Sequence, residues 1–200
     1  MSELVPLPTQ PAGVPWPGST WPTGDLAAGG ALAALLDDAL DGDGPLAETY
    51  AVVVVQGGRL VAERYGGAIE HWDRPAEAVG PDTPLLSWSM AKSVLHALVG
   101  MLVAEGALDL EAPASVPAWR EPGDPRAAIT LEHLLAMRDG LDFDEEYVDA
   151  DTSTVIEMLF GAGAADTAAF AADRALLAAP GARFNYSSGT TNIILSLIHI

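Results

Sequence analysis

The 200-residue chain contains no cysteine, which excludes disulfides, thiolate catalysis and zinc-thiolate sites. Basic residues are also scarce, nine lysines and arginines against 28 acidic residues, for a formal net charge of −19. Such an excess repels nucleic acid and anionic membranes, so neither is expected as a partner. No apolar run approaches the roughly 18 residues that a membrane-spanning helix needs. Residues 1–25 lack the basic and apolar regions of a signal peptide, and a cytoplasmic location is expected. The rarest chemistry is the primary amine: eight of the nine basic residues are arginine, and the one lysine is Lys92. What is plentiful is apolar side chain, 50% of the residues, enough for the core of a globular domain.

The chain divides into a lead, a main body and a short tail. Pro6, Pro8, Pro11, Pro15, Pro17 and Pro22 make the lead extended, with Trp16 and Trp21 expected to anchor it in apolar grooves. Alanine and leucine at helical spacing predict a helix from Leu26 to Leu40, stopped by Asp41-Gly42-Asp43-Gly44-Pro45. Ala51 to Val55 and Leu60 to Tyr65 flank Gly57-Gly58 and predict a β-hairpin. A buried helix is predicted over Ser89 to Ala104, with Gly106 placed to end it. Four prolines make Leu108 to Arg126 irregular. Thr130 is then an N-cap for a helix that stops near Asp139-Gly140. Alanine-rich helical pieces are expected from Thr154 to Leu177, broken at Gly161 and Gly163, before a turn at Pro180-Gly181.

Lys92 follows Ser89 by three residues, and with ten serines in 200 residues chance supplies that spacing about one time in twenty. On a helix, residues three apart share a face, so the hydroxyl and the amine can meet. A serine hydroxyl becomes a good nucleophile when a neighbouring base takes its proton, and lysine, unlike arginine, can serve as a base when desolvated. Lys92 could take that proton or hold another base deprotonated; an ordinary capping serine beside a lysine that reaches for water is the structural alternative. Tyr186, in the polar loop from Gly181 to Gly189, is a candidate second base, since a phenol ionises more readily beside an ammonium.

Three stretches in order carry a family resemblance: Ser89-Met90-Ala91-Lys92-Ser93, then Ile129 to Leu141, then Phe184-Asn185-Tyr186-Ser187-Ser188-Gly189. Together, over Thr49 to Ile194, they resemble the penicillin-recognising serine hydrolases, above all class C β-lactamase-like esterases and 6-aminohexanoate-dimer hydrolases. The resemblance implies an α/β (α+β) β-lactamase/transpeptidase-like fold, an antiparallel sheet flanked by helices with a helical subdomain. It also implies acyl transfer to water from a small ester, amide or peptide-like substrate, without cofactor or metal. Ser89 would be the acylated nucleophile, Lys92 its proton-handling partner and Tyr186 the base that also protonates the leaving group. The Ser89 backbone N–H would form half of an oxyanion hole, and Asn185 and Ser188 would stand behind these groups or touch substrate.

Two departures bear on that inference. The family's second motif is usually Tyr-x-Asn, and Ser188 in the third place resembles the ester and amide hydrolase branch. The third motif, a Lys-Thr-Gly or His-x-Gly strand, is absent before Ile200, so the sheet is expected to be incomplete and the chain nearly inactive. The main body is taken as 46–194, because Leu195-Ser196-Leu197-Ile198-His199-Ile200 resembles an in-frame sequencing adapter and is expected to be non-native. Remaining readings on the same scaffold are a β-lactamase or D-Ala-D-Ala carboxypeptidase, and a silent ligand-binding module. The acidic run Asp142, Asp144, Glu145, Glu146, Asp149 and Asp151 lacks calcium-loop spacing and is expected to be a solvated face. His71, His96, His133 and His199 show no metal-ligand spacing, and His96 is expected to pack within its helix.

Overall fold

The computed structural model describes residues 9–26, 30–40, 46, 49–148 and 153–199. They fall into two compact units, residues 1–86 and 87–200.

In the first unit, α1 (Ala31–Leu40) buries Leu36 and Ala39. The predicted start of this helix includes residues 27–29, and its predicted stop is 41–45; both lie outside the described residues. Strands β1 (Ala51–Gln56) and β2 (Arg59–Tyr65) form the expected antiparallel hairpin, from Ala51 opposite Tyr65 to Gln56 opposite Arg59, with a one-residue register shift between Val54 and Val55. Gly57 and Gly58 turn it with φ of 56° and 75°, the left-handed pair that matches strand twist. A second small ladder joins β3 (Ala68–Ile69) to β4 (Glu77–Ala78).

The lead is extended where it meets this hairpin. The Leu60 N–H donates to the Pro22 carbonyl at 2.8 Å, and the Gly24 N–H donates to the Leu60 carbonyl at 3.0 Å. The expected tryptophan anchors are not formed: Trp16 is 75% and Trp21 48% exposed. Backbone pairing at Thr23 ties the lead instead, which needs no indole burial.

The second unit is helical. After a 3-10 turn over Trp88–Met90 comes α2 (Ala91–Ala104), followed by the short α3 (Leu131–Leu135), α4 (Thr154–Phe160), α5 (Thr167–Ala172) and α6 (Ser188–Ile198). Its core gathers Leu95, Val99, Trp119, Leu134, Met158 and Ile193 with their neighbours. The prolines of the irregular stretch start two further 3-10 turns, Pro117–Trp119 and Pro125–Ala128. Trp119 Nε1 donates to the Ala172 carbonyl at 2.8 Å. Arg126, clasped by Asp124 at 2.7 Å, donates to the carbonyls of Ala172 and Arg174 at 3.1 Å each. The break between α4 and α5 falls at Gly161 and Gly163 as expected, but helix ends at Ala172 rather than Leu177, because Leu176 bridges to Leu141 as an extended pair.

The helix holding Lys92 is buried along one stripe rather than all round. Leu95 and Val99 are buried, whereas Val94, Leu98 and Met101 on the other faces are 62%, 45% and 59% exposed. Spacing of four along a helix puts Leu95, Val99 and Val103 on the core side and leaves the other apolar residues pointing away. Gly106 ends α2 as predicted, with φ of 75° and its N–H donating to the Val103 carbonyl at 3.0 Å, while the Ala107 N–H reaches Leu102 at 2.9 Å.

Candidate active site

Ser89 is presented by a tight turn. The Met90 N–H donates to the Ser87 carbonyl at 3.0 Å, and Trp88 between them has φ of 45°, a left-handed conformation uncommon for a bulky side chain. Such outliers persist where surrounding structure over-determines them, and they cluster at functional sites. From this turn Ser89, Lys92, Ser93 and His96 follow at helical spacing and line one wall of a cleft of about 500 Å³. Lys92 Nζ donates to Ser89 Oγ at 2.9 Å, the meeting that the spacing predicted. His96 is exposed and faces the cleft instead of packing within the helix, because it lies one turn beyond Lys92 on the same face.

The opposite wall comes from the end of α3 and the loop before α6. Thr130 caps α3 as expected: its Oγ1 accepts from the His133 N–H at 3.2 Å, and His133 Nδ1 accepts from the Thr130 N–H at 3.2 Å. The helix then stops earlier than predicted, at Leu135. Met137 takes φ of 53° in the place usually held by glycine, and the Arg138 N–H returns to the His133 carbonyl at 2.7 Å. This turn exposes the Met137 carbonyl to the Asn185 N–H at 2.8 Å, and its sulfur to the Ser187 N–H at 3.4 Å. The Asn185 side chain donates to the Phe143 carbonyl at 2.8 Å, so it braces the loop and lies outside the lining of the cleft.

Tyr186, thus held, closes the cleft with its ring centroid 5.2 Å from Lys92 Nζ. Ser187 caps α6, accepting from the Thr190 N–H at 2.9 Å, while buried Asp139 accepts from Thr190 Oγ1 at 2.7 Å and from the Leu141 N–H at 2.8 Å. Gly189 in the first turn of α6 has no room for a side chain: a Cβ there would lie 2.4 Å from the Phe143 ring.

Ser188 brings the second element to the lysine, with its Oγ accepting from Lys92 Nζ at 3.1 Å. The same hydroxyl donates to Glu145 Oε1 at 2.5 Å, and the Ser188 N–H donates to Glu145 Oε2 at 2.7 Å. Tyr147 Oη donates to Glu145 Oε1 at 2.7 Å. Partial burial, and then the hydrogen bond to the Glu145 carboxylate, hold the Tyr147 phenol above its ordinary pKa.

Glu145 corrects the reading of the acidic run as a solvated face. Asp142, Asp144 and Glu146 are exposed, but Glu145 is half-buried against Ser188, and residues 149–152 lie outside the described residues. An extended segment alternates sides, so Leu141, Phe143 and Glu145 turn inward together. That alternation of apolar and acidic residues was the available signal. Among the described residues no cluster of three or more His, Asp or Glu side chains is arranged to hold a metal ion.

An α+β fold with a serine and a lysine paired at the head of an apolar helix, facing a tyrosine loop, is the architecture of the penicillin-recognising serine hydrolases. The family model described as Beta-lactamase matches residues 43–199, and the chain belongs to that family. Among solved structures, one named provisionally as a 6-aminohexanoate-dimer hydrolase from Bacillus anthracis is similar, with a TM-score of 0.63 and 21% identity over 89% of this chain. The chain spans 47% of the length of that protein. Among the described residues, no helix is long and apolar enough to cross a membrane.

Proposed function

We propose that the chain carries the nucleophile-bearing part of a serine hydrolase that cleaves small esters or amides through an acyl-enzyme at Ser89. Ser89 Oγ adds to the substrate carbonyl carbon while its proton passes to the basic group beside it. The bond to the leaving alcohol or amine breaks as Tyr186 gives that group its phenol proton, which the proton taken from Ser89 replaces. Water then adds to the acyl-serine, a proton moves back, and the free acid departs. The observation that carries this reading is Lys92 Nζ at 2.9 Å from Ser89 Oγ and 3.1 Å from Ser188 Oγ, one amine joining two hydroxyls from separate elements. The cleft beside it, about 500 Å³ and lined by both polar and apolar side chains, suits a small acyl group. Serine at position 188, in place of the family's asparagine, favours ester and amide substrates over β-lactams.

The test is covalent labelling. A fluorophosphonate is expected to mark Ser89 and to leave Ser89→Ala unmarked; an intact chain that takes no label would overturn the proposal. Acylation by a labelled penicillin, lost in Ser89→Ala, would move the reading to a β-lactamase or D-Ala-D-Ala carboxypeptidase. Tight ligand binding without acylation would mark a silent binding module. The family's third motif, which supplies the second oxyanion donor, has no match in these 200 residues. Turnover of p-nitrophenyl esters by this chain is therefore expected to fall about 10²- to 10³-fold below that of a full-length relative, the usual cost of one missing donor. Equal rates would refute that expectation.

A further inference from the structure

We infer that Glu145 is a positioning residue that holds Lys92 in place through Ser188, an assignment that rests on the serine hydrolase reading. A serine hydroxyl has one proton to give and lone pairs with which to accept. The Ser188 proton is committed to Glu145 Oε1 at 2.5 Å, so the face it turns to Lys92 Nζ at 3.1 Å is an acceptor. The second carboxylate oxygen takes the Ser188 N–H at 2.7 Å, the first amide of an 11-residue helix, where a negative charge is favoured. Glu145 therefore grips Ser188 at two points and fixes both its place and its sense of hydrogen bonding.

The consequence reaches Ser89 through the lysine. Lys92 Nζ is drawn between two oxygens, Ser89 Oγ at 2.9 Å and Ser188 Oγ at 3.1 Å, with Tyr186 alongside. Without the carboxylate, Ser188 Oγ is free to rotate and offer its proton to the lysine, turning an acceptor into a competitor. No ion pair within 4.0 Å joins Glu145 to Lys92 among the described residues, so the linkage runs through the serine. Tyr147 donates to the same carboxylate oxygen as the Ser188 hydroxyl.

Glu145→Gln isolates this role. A glutamine offers one acceptor oxygen, whereas Ser188 presents two donors, its N–H and its O–H, to the two oxygens of Glu145. Either way the amide sits, one of those donors meets an NH₂ group. The chain's one lysine makes the readout direct, because nitrogen-15-labelled lysine yields a single side-chain ammonium signal.

In the full 200-residue chain, exchange of the Lys92 ammonium protons with water is expected to be slow, and to quicken about fivefold or more in Glu145→Gln, the factor a typical net hydrogen bond carries. Ser188→Ala, which removes the acceptor itself, is expected to match it, and Tyr147→Phe, which leaves the carboxylate, to keep the wild-type rate. Exchange unchanged in both Glu145→Gln and Ser188→Ala would overturn the inference. So would a Tyr147→Phe effect as large as that of Glu145→Gln, which would assign the lysine's placement to the loop. Fluorophosphonate labelling of the same wild-type sample separates the two ideas. An exchange pattern as expected without Ser89 labelling overturns the hydrolase reading, and labelling with unchanged exchange overturns the role of Glu145.

Discussion

At the scale of single residues, the site rests on groups whose chemistry is not interchangeable. Lys92→Arg keeps the positive charge and the hydrogen-bonding reach but cannot give up a proton. If Lys92 moves the Ser89 proton, the rate of Ser89 labelling in this variant falls about 10²- to 10⁴-fold, the usual span for lost acid–base catalysis. Retention of the wild-type rate would assign the proton to another base and leave the lysine a charge-holding part. Tyr147 carries a pH prediction. Its phenol ionises later than usual in the fold, so the stabilisation from its bond to Glu145 is complete below the ordinary tyrosine range and is lost as pH rises through the raised value. An ultraviolet titration of the folded chain should show two late-ionising tyrosines, Tyr65 beside Glu63 and Tyr147, one of which disappears in Tyr147→Phe. The pairing of Ser89 with Lys92 was legible in the sequence because three residues of helix define it. Glu145 was not, since its partner lies 43 residues away and only alternation within the acidic run pointed inward. The misplacement of Trp16 and Trp21 has a similar root, because composition says that an indole prefers burial but not where a groove exists.

At the scale of elements, turns and caps set the walls of the cleft. Thr130→Ala removes the side-chain cap of α3 and is expected to cost about 1 kcal/mol in chemical denaturation, at unchanged transition slope. Gly140→Ala is a harsher change. Gly140 has φ of 85°, and a Cβ would fall 2.3 Å from the Ala178 carbonyl oxygen, so the loop that leads toward Tyr186 must shift. Its stability loss should exceed that of Thr130→Ala, with weaker labelling of Ser89; a neutral outcome would show that this turn does not govern the site. Caps, hairpin and breaks were readable because short-range chemistry dictates them, as at Gly57-Gly58, Gly106 and Thr130. The premature end of α3 was not, because Met137 takes a left-handed conformation against its own preference, in a turn whose carbonyl and sulfur are met by Asn185 and Ser187 from the distant loop.

At the scale of the whole chain, charge is the dominant global term. A formal net charge of −19 makes like-charge repulsion a standing cost, so added salt is expected to raise the unfolding temperature until screening is complete. A temperature that falls with moderate salt would show that specific ion pairs outweigh the repulsion. One such pair acts in the opposite direction: hydrogen bonding to Arg126 holds the Asp124 carboxyl below the usual carboxylate range. Its contribution is present above about pH 4 and fades as pH falls through the lowered value, so Asp124→Asn should flatten that part of the acid-unfolding curve. The spacing of the hydrogen bonds to Lys92 also bears on how the molecule is assembled in time. Ser89 lies three residues away along the chain, whereas Ser188 lies 96 away. Contacts of low sequence separation close early and distant ones late. A folding chain thus acquires its serine–lysine pair with the first turns of α2 and lacks the second oxygen, Ser188 Oγ, until α6 docks. Nascent or partly unfolded molecules would carry the nucleophile without the geometry that aims it, and reactivity at Ser89 would serve as a clock for the last step of folding.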